Sequence, residues 1–398
     1  MRIFKFEEAL IEYIKRHLDI LFIIAVSILG ILIRFPLRNF LSDDMQVFLI
    51  GWYYQLKDNG GFTALGTQVG NYNLVYQFLI AAFTYLPVEC HIMYKVLSIL
   101  FDYVLATGGA VFASKIAPTK KHIPAVIYAA ILLLPTVVLN SAAWGQCDSI
   151  YTAFIILSIL ALYEKKYVGA FVLLGISFTF KLQFIFFLPF YIWHYLNRKE
   201  YSVINFLLIP VAGWVCTLPA VIVGRRNIFD FFKVYMEQPF TDQDMVLYFP
   251  NLWALVRGDY WYTRFFAFIL AVAILGVITY LLLRKGIDLS TPENFLVFAS
   301  LSIWTCVEFM PGMHNRYSYP LDILLVILLS YDCKKYWKYA FLCIGISLYL
   351  YGWTLFFPEE GDAGYLLSSV LYLAGYMHFL FTAVFDIFVC DKDAEKKV

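Results

Sequence analysis

A chain of 398 residues that is 62% hydrophobic and 19% aromatic, with 15% charged residues and a mean hydropathy of +0.72, lies well outside the range of soluble domains. It reads as an all-α polytopic membrane protein, a single integral membrane domain over 1–398. A net charge of +1 gives no basis for nucleic-acid binding, and seven cysteines without a CxxC pair or metal-ligand spacing read as small apolar fillers.

The N-terminal stretch MRIFKFEEALIEYIKRH is charged throughout, and the apolar run after it ends in Arg34 without a small-residue cleavage site, which predicts an uncleaved first span at 18–35. Further runs of span length or close to it follow at 93–115, 122–140, 148–163, 167–181, 184–197, 202–224, 263–283, 292–310, 318–333, 337–356 and 365–390, about 12 in all. Cytoplasmic loops are enriched in Lys and Arg. With the N-terminus inside, alternate turns carry Lys115, Lys120 and Lys121, then Lys165 and Lys166, Arg198 and Lys199, Arg284 and Lys285, and Lys334, Lys335 and Lys338. With Arg2, Lys5, Lys15 and Arg16 and the tail Lys392, Lys396 and Lys397, 19 of the 30 basic residues fall inside. The run 74–87 must then not cross; short and ending in Pro87, it fits a helix in the outer interface. The outward face receives two long loops, 36–92 and 225–262, and turns at 144–149, 181, 311–317 and 358–365. Asp242 and Glu359 on that face read as ordinary loop polarity.

In the first outer loop, LSDDMQVFLIGWYYQLKDNGG at 41–61 places Met45, Phe48, Leu49, Trp52, Tyr53 and Leu56 at spacings of three and four, an amphipathic helix. Ser42 or Asp43 suits the N-cap, where the helix dipole favours a carboxylate. One acid is enough for that. Asp44, in the first turn, stands where a general base would take a proton from an acceptor hydroxyl.

The outward basic residues Lys95, Lys181, Arg225, Arg226 and Arg316 sit at or near span ends, where charge is costly unless partnered. Snorkelling accounts for any one of them. An anionic ligand such as a lipid phosphate accounts for several together. In PGMHNRY, Pro311 and Gly312 break the preceding span, and His314, Arg316 and Tyr317 follow as a phosphate clamp. In LNSAAWGQCDSIY at 139–151, Asp148 either caps the next helix or joins Asn140 and Gln146 in bonding sugar hydroxyls and organising the loop.

These stretches together resemble the membrane glycosyltransferases of the GT-C class, most closely the bacterial mannosyltransferase-like branch related to the enzyme that adds the second mannose of GPI anchors. The resemblance rests on SDDM, Trp52, LKDNGG and GNYNLVY within 42–76, KVLSILFD at 95–102, NSAAWGQCDSIY at 140–151, FKLQFIFFLP at 180–189, FPNLW at 249–253 and MHNRY at 313–317. It implies a GT-C fold with amphipathic helices in the first outer loop, and inverting transfer of a hexose from a polyprenyl-phosphate-sugar to an acceptor glycan or glycolipid. The base implied is an aspartate of the first outer loop. Asp44 matches it best, before Met45 where relatives usually carry an aromatic, with Asp43 as rival. Asn315 stands where relatives commonly carry an acid. His314, Arg316 and Tyr317, with Lys95, Arg225 and Arg226, are expected at the donor phosphate. Gln146, Asp148, Trp52, Tyr72 and Lys181 are expected to hold sugar or acceptor or to organise the loops. No cofactor is expected, and a divalent cation is neither indicated nor excluded. The implied setting is a bacterial plasma membrane with the site facing outward.

A flippase or transporter of a lipid-linked saccharide is the competing reading, since that class also uses about twelve helices and basic pockets. Against it, the charges cluster at one surface and no internal repeat is visible. A membrane acyltransferase would need a partner for His314 that the sequence does not offer.

Overall fold

The computed structural model describes residues 2–237, 243–256, 258–357 and 365–386. Asp242, most of the acidic turn with Glu359, and the tail lysines Lys392, Lys396 and Lys397 lie outside the described residues. The protein is an all-α integral membrane protein. Among the described residues, six helical stretches are long and apolar enough to cross a bilayer. They comprise α2 (Leu18–Arg34) with a 3₁₀ extension to Asn39, α5 (Cys90–Ile116), the stretch Val203–Gly224 that ends in α11 (Leu208–Gly224), α14 (Tyr260–Lys285), α17 (Cys333–Phe356), and α18 (Tyr365–Phe381) with its continuation to Phe385. A seventh is formed if α6 (Ile123–Leu132) and the segment Pro135–Trp144, which begins with α7 (Pro135–Val138), count as one span bent by 46°. Pro135 lacks an N–H and enforces the break.

The other predicted runs are helical but shorter: α8 (Asp148–Tyr163), α9 (Tyr167–Phe180), α10 (Leu188–Arg198), α15 (Pro292–Phe309) and α16 (Tyr319–Tyr331). At 1.5 Å per residue they measure about 16–27 Å, less than the ~30 Å hydrocarbon layer. For α15 and α16 the environment explains the shortfall. Every residue of α15 from Phe295 to Phe309, and of α16 from Tyr319 to Leu328, is buried in protein, so these helices have no lipid to match. The run expected not to cross, 74–87, forms α4 (Leu74–Phe83), about 15 Å long. Asn73 caps it through Oδ1 to Leu74 N at 2.7 Å, while Nδ2 donates to the Phe231 carbonyl at 3.0 Å and ties the two long loops together.

The remaining short helices are α1 (Arg2–Arg16), α3 (Ile50–Asp58), α12 (Asp230–Glu237) and α13 (Leu252–Val256). One parallel strand pair, β1 (Val246–Leu247) with β2 (Met313–His314), docks the second long loop on the 311–317 turn.

The turns sort into two end layers. At one end Glu164 takes Lys115 and Lys166, each at 2.7 Å, and Glu200 takes Lys165 and Arg198. Arg198 continues to Asp288 at 2.7 Å, Lys335 pairs with Glu293 at 2.9 Å, and Lys120 donates to the carbonyls of Ser330 and Tyr331. Hydrogen bonds from Lys115 and Lys166 hold the Glu164 carboxyl near 2, well below its ordinary value. All of these turns belong to the set expected inside. A cysteine placed at Lys120 should therefore resist an impermeant thiol reagent added to intact cells and react after permeabilisation; labelling from outside would reverse the topology.

Between the layers, the buried Arg34 donates through Nε and Nη2 to Asp102 Oδ2 at 3.0 and 2.8 Å and through Nη2 to the Leu132 carbonyl at the α6 break. Ser141 Oγ joins the same carboxylate at 2.5 Å. This pair fixes the segment that leads into the opposite end layer.

Candidate functional site

At the other end, two π-helical turns, Met45–Leu49 and Leu139–Trp144, are joined by hydrogen bonds between Trp144 and the residues just ahead of the first turn. Such turns inside helices recur at functional sites. Ser42 begins the first: its Oγ accepts from Met45 N at 3.2 Å and donates to the Trp144 carbonyl at 3.1 Å. The cap is thus Ser42, one of the two residues the sequence offered, and the side chain of the other, Asp43, is exposed. Asp44 turns the other way. Its Oδ2 accepts from Trp144 Nε1 at 2.9 Å and from Gln146 Nε2 at 2.8 Å.

Gly145 makes this possible. It sits at φ +72°, and a Cβ there would stand 2.3 Å from Met45 Cε, so the Trp-Gly-Gln turn closes only with glycine between its two donors. Tyr72 extends the chain, donating from its hydroxyl to Gln146 Oε1 at 2.9 Å. Burial, and after it the neighbouring Cys147, push the Tyr72 hydroxyl well above its ordinary range, so it stays a donor.

Charges alternate behind Asp44. Arg316 Nη1 is 3.5 Å from Asp44 Oδ2, and its Nε is 3.8 Å from Asp148 Oδ2. The guanidinium lies 5.2 Å from the Trp144 ring centroid. Asp148, fully buried, also takes Lys181 Nζ at 2.5 Å and Asn140 Nδ2 at 2.8 Å. Burial pulls the Arg316 pKa down, but Asp44 and Asp148 outweigh it and hold the guanidinium above its ordinary value. The row Lys181, Asp148, Arg316, Asp44 is neutral as a whole, which makes the buried Lys181 and the half-buried Arg316 tolerable.

The row borders a cavity of about 480 Å³. Its polar wall includes Asp44, Tyr72, Gln146, Lys181, His314 and Arg316, and its apolar wall includes Phe48, Trp52, Ile185, Phe186 and Phe268. Phe48, Ile185 and Phe268 are 41–48% exposed, so one flank of the cavity is apolar and open. His314 and Tyr317 complete the rim, their rings 5.1 Å apart, held by the β1–β2 pairing of Leu247 with His314 and by Gly312 N donating to the Met245 carbonyl at 3.0 Å. The FPNLW stretch anchors the loop: Asn251 Nδ2 donates to the Val307 and Met310 carbonyls, and Trp253 Nε1 to that of Phe309.

Of the residues singled out in the sequence, Asp44, Trp52, Tyr72, Gln146, Lys181, His314, Arg316 and Tyr317 line this one cavity, and Asp148 stands directly behind it. Four do not reach it. Asp43 is exposed. Lys95 is buried elsewhere, its ammonium capping the carbonyls of Leu37, Arg38 and Phe40 at 2.5–3.2 Å, so its cation serves the 3₁₀ turn after α2 and not a phosphate. Arg226 is taken up by Asp230 at 2.8 Å and by Gln68 and the Thr67 carbonyl, and Arg225 is exposed at the end of α11.

Three contributors lay outside the expected set. Trp144, the second donor to Asp44, sits inside the NSAAWGQCDSIY stretch and could have been found there. Gln183 follows Lys181 in FKLQ. Thr354, which accepts from Asn315 Nδ2 at 2.7 Å, sits in an apolar run that gives no signal.

Among the described residues, no three His, Cys, Asp or Glu side chains are grouped to hold a metal ion. Comparison of the chain with family models and with curated proteins yields no match.

Proposed function

We propose that this protein is an inverting, twelve-pass membrane glycosyltransferase that moves a hexose from a polyprenyl-phosphate-sugar to an acceptor glycan or glycolipid at the outer face of a bacterial plasma membrane. The observation that carries the reading is the pairing of Asp44 and Arg316 on the wall of a cavity with one polar side and one exposed apolar flank. A lipid-linked sugar needs both. Its chain would lie along Phe48, Ile185 and Phe268, with its phosphate toward His314 and Arg316.

In the reaction, the acceptor hydroxyl oxygen attacks the anomeric carbon while the bond from that carbon to the phosphate oxygen breaks. The phosphate departs with the electron pair, and Asp44 takes the hydroxyl proton. The described hydrogen bonds to Asp44 fall on Oδ2, which fixes the carboxylate and leaves Oδ1 for the proton. A lipid phosphate is already a good leaving group, so holding its charge matters more than protonating it.

The test is incubation of purified protein with radiolabelled polyprenyl-phosphate sugars and a pool of candidate acceptors. Release of one sugar to an acceptor supports transfer. If no donor is consumed while a lipid-linked saccharide crosses proteoliposomes containing the protein, a flippase replaces the enzyme.

A further inference from the structure

The opposite end of α17 carries a second cavity. Lys335 and Thr354 lie on the same helix 19 residues apart, so this cavity is about 29 Å from the first along the axis. It encloses about 410 Å³ between the start of α17 and the end of α18, lined by Lys334, Lys335, Lys338, Tyr339, His378, Phe381, Thr382 and Phe385.

The two sides of this groove differ in chemistry. Three lysines lie within five residues on α17. Lys335 is engaged by Glu293 at 2.9 Å, while Lys338 holds its ammonium 5.0 Å from the Tyr339 ring, and the side chains of Lys334 and Lys338 are exposed. On the α18 side, Tyr339 hydroxyl meets His378 Nδ1 at 2.6 Å and Thr382 Oγ1 at 3.1 Å, a small polar array between the cations and the rings. Phe381 and Phe385 stand 5.3 Å apart, each about half exposed, and the Lys285 ammonium lies 4.2 Å from the Phe385 ring centroid. A groove that joins exposed cations to part-exposed aromatic rings fits an amphiphile with an anionic head, not a small soluble anion.

We propose that this groove binds an anionic phospholipid of the leaflet opposite the candidate active site, its phosphate at Lys334 and Lys338 and its acyl chain along Phe381 and Phe385. Basic pockets between membrane helices recognise acidic head groups in this way. The lysines of positive-inside turns ordinarily face a diffuse surface potential; here they border a defined cavity with an apolar wall.

Native mass spectrometry of the full-length protein in detergent tests it, titrating dioleoylphosphatidylglycerol, dioleoylphosphatidylcholine, glycerol phosphate and inorganic phosphate separately. Phosphatidylglycerol should bind saturably and phosphatidylcholine should not. In the double variant K334Q/K338Q its affinity should fall about 25-fold, from ~1 kcal/mol per basic residue at an anionic membrane surface and 1.4 kcal/mol per decade. K334R/K338R should stay within about threefold of the parent by retaining both charges. Phe381→Ser should weaken phosphatidylglycerol without creating affinity for glycerol phosphate. The side chains of Lys334, Lys338 and Phe381 are exposed, so these variants do not disturb the core. Unchanged phosphatidylglycerol affinity in K334Q/K338Q, equal binding of phosphatidylcholine, or equal binding of inorganic phosphate would each overturn the proposal. Because binding is read directly, the result stands apart from the glycosyltransferase reading.

Discussion

Asp44→Asn should fold, retain its donor and lose transfer by roughly 10²- to 10⁴-fold, the range that general-base catalysis supplies. The fold survives because an asparagine oxygen can take the Trp144 and Gln146 hydrogen bonds that Oδ2 takes now, placing its amide where Oδ1 stands. That amide cannot accept a proton. Asp43→Asn is the internal control: its carboxylate is exposed and outside the cavity, so the change should stay within about 0.5 kcal/mol in stability and leave turnover close to the parent. Ser42→Ala removes the cap and should cost about 1 kcal/mol of stability. A transfer assay on folded variants decides the assignment. Full activity in Asp44→Asn with a dead Asp43→Asn would move the base by one residue, and full activity in both would remove the mechanism.

Much of this arrangement could be read from the chain because it depends on long, repeated signals. Apolar runs of membrane length are set by the bilayer, and the described part of each of the twelve is largely helical, though six of the helical stretches, or seven with the bent pair, are long and apolar enough to cross. The alternation of basic turns anticipated two end layers, and the ion pairs among Lys115, Glu164, Lys165, Glu200, Arg198 and Asp288 gather at one of them. What the sequence does not carry is direction at single residues. Lys95 and Lys181 look alike as lysines near span ends, yet one ammonium caps backbone carbonyls while the other pairs with Asp148 beside the cavity. Arg226 was less obscure, because Asp230 follows only four residues later, at the start of α12, and is the nearer partner. The boundary between Ser42 and Asp43 is the usual one-residue uncertainty of a helix start.

The neutrality of the charge row also says which change should do most damage. Arg316 is the only described cation that contacts both Asp44 and Asp148, and its side chain is 15% exposed. Arg316→Ala leaves two neighbouring carboxylates with Lys181 as the remaining cation in the row, and breaking one partner of a buried pair typically costs about 3–5 kcal/mol. A fall in melting temperature is therefore expected along with the functional loss, so activity alone cannot separate structure from chemistry. Arg316→Lys separates them: it restores one positive charge between the acids but not the planar fork that can face two oxygens at once. The lysine variant should recover most of the stability while transfer remains about 10- to 150-fold down, the loss of about 1.5–3 kcal/mol expected when a charge-assisted contact to an ionised phosphate is removed. Arg38→Ala, whose guanidinium lies over the Phe35 ring 4.1 Å away and outside the cavity, should behave as the parent in both measurements. Kinetics at limiting and saturating donor complete the test. A donor-phosphate role requires the deficit to be largest at limiting donor; if Arg316→Lys and Arg38→Ala transfer equally well under both conditions, Arg316 only neutralises Asp44 and Asp148, and the phosphate is held by other groups on the rim.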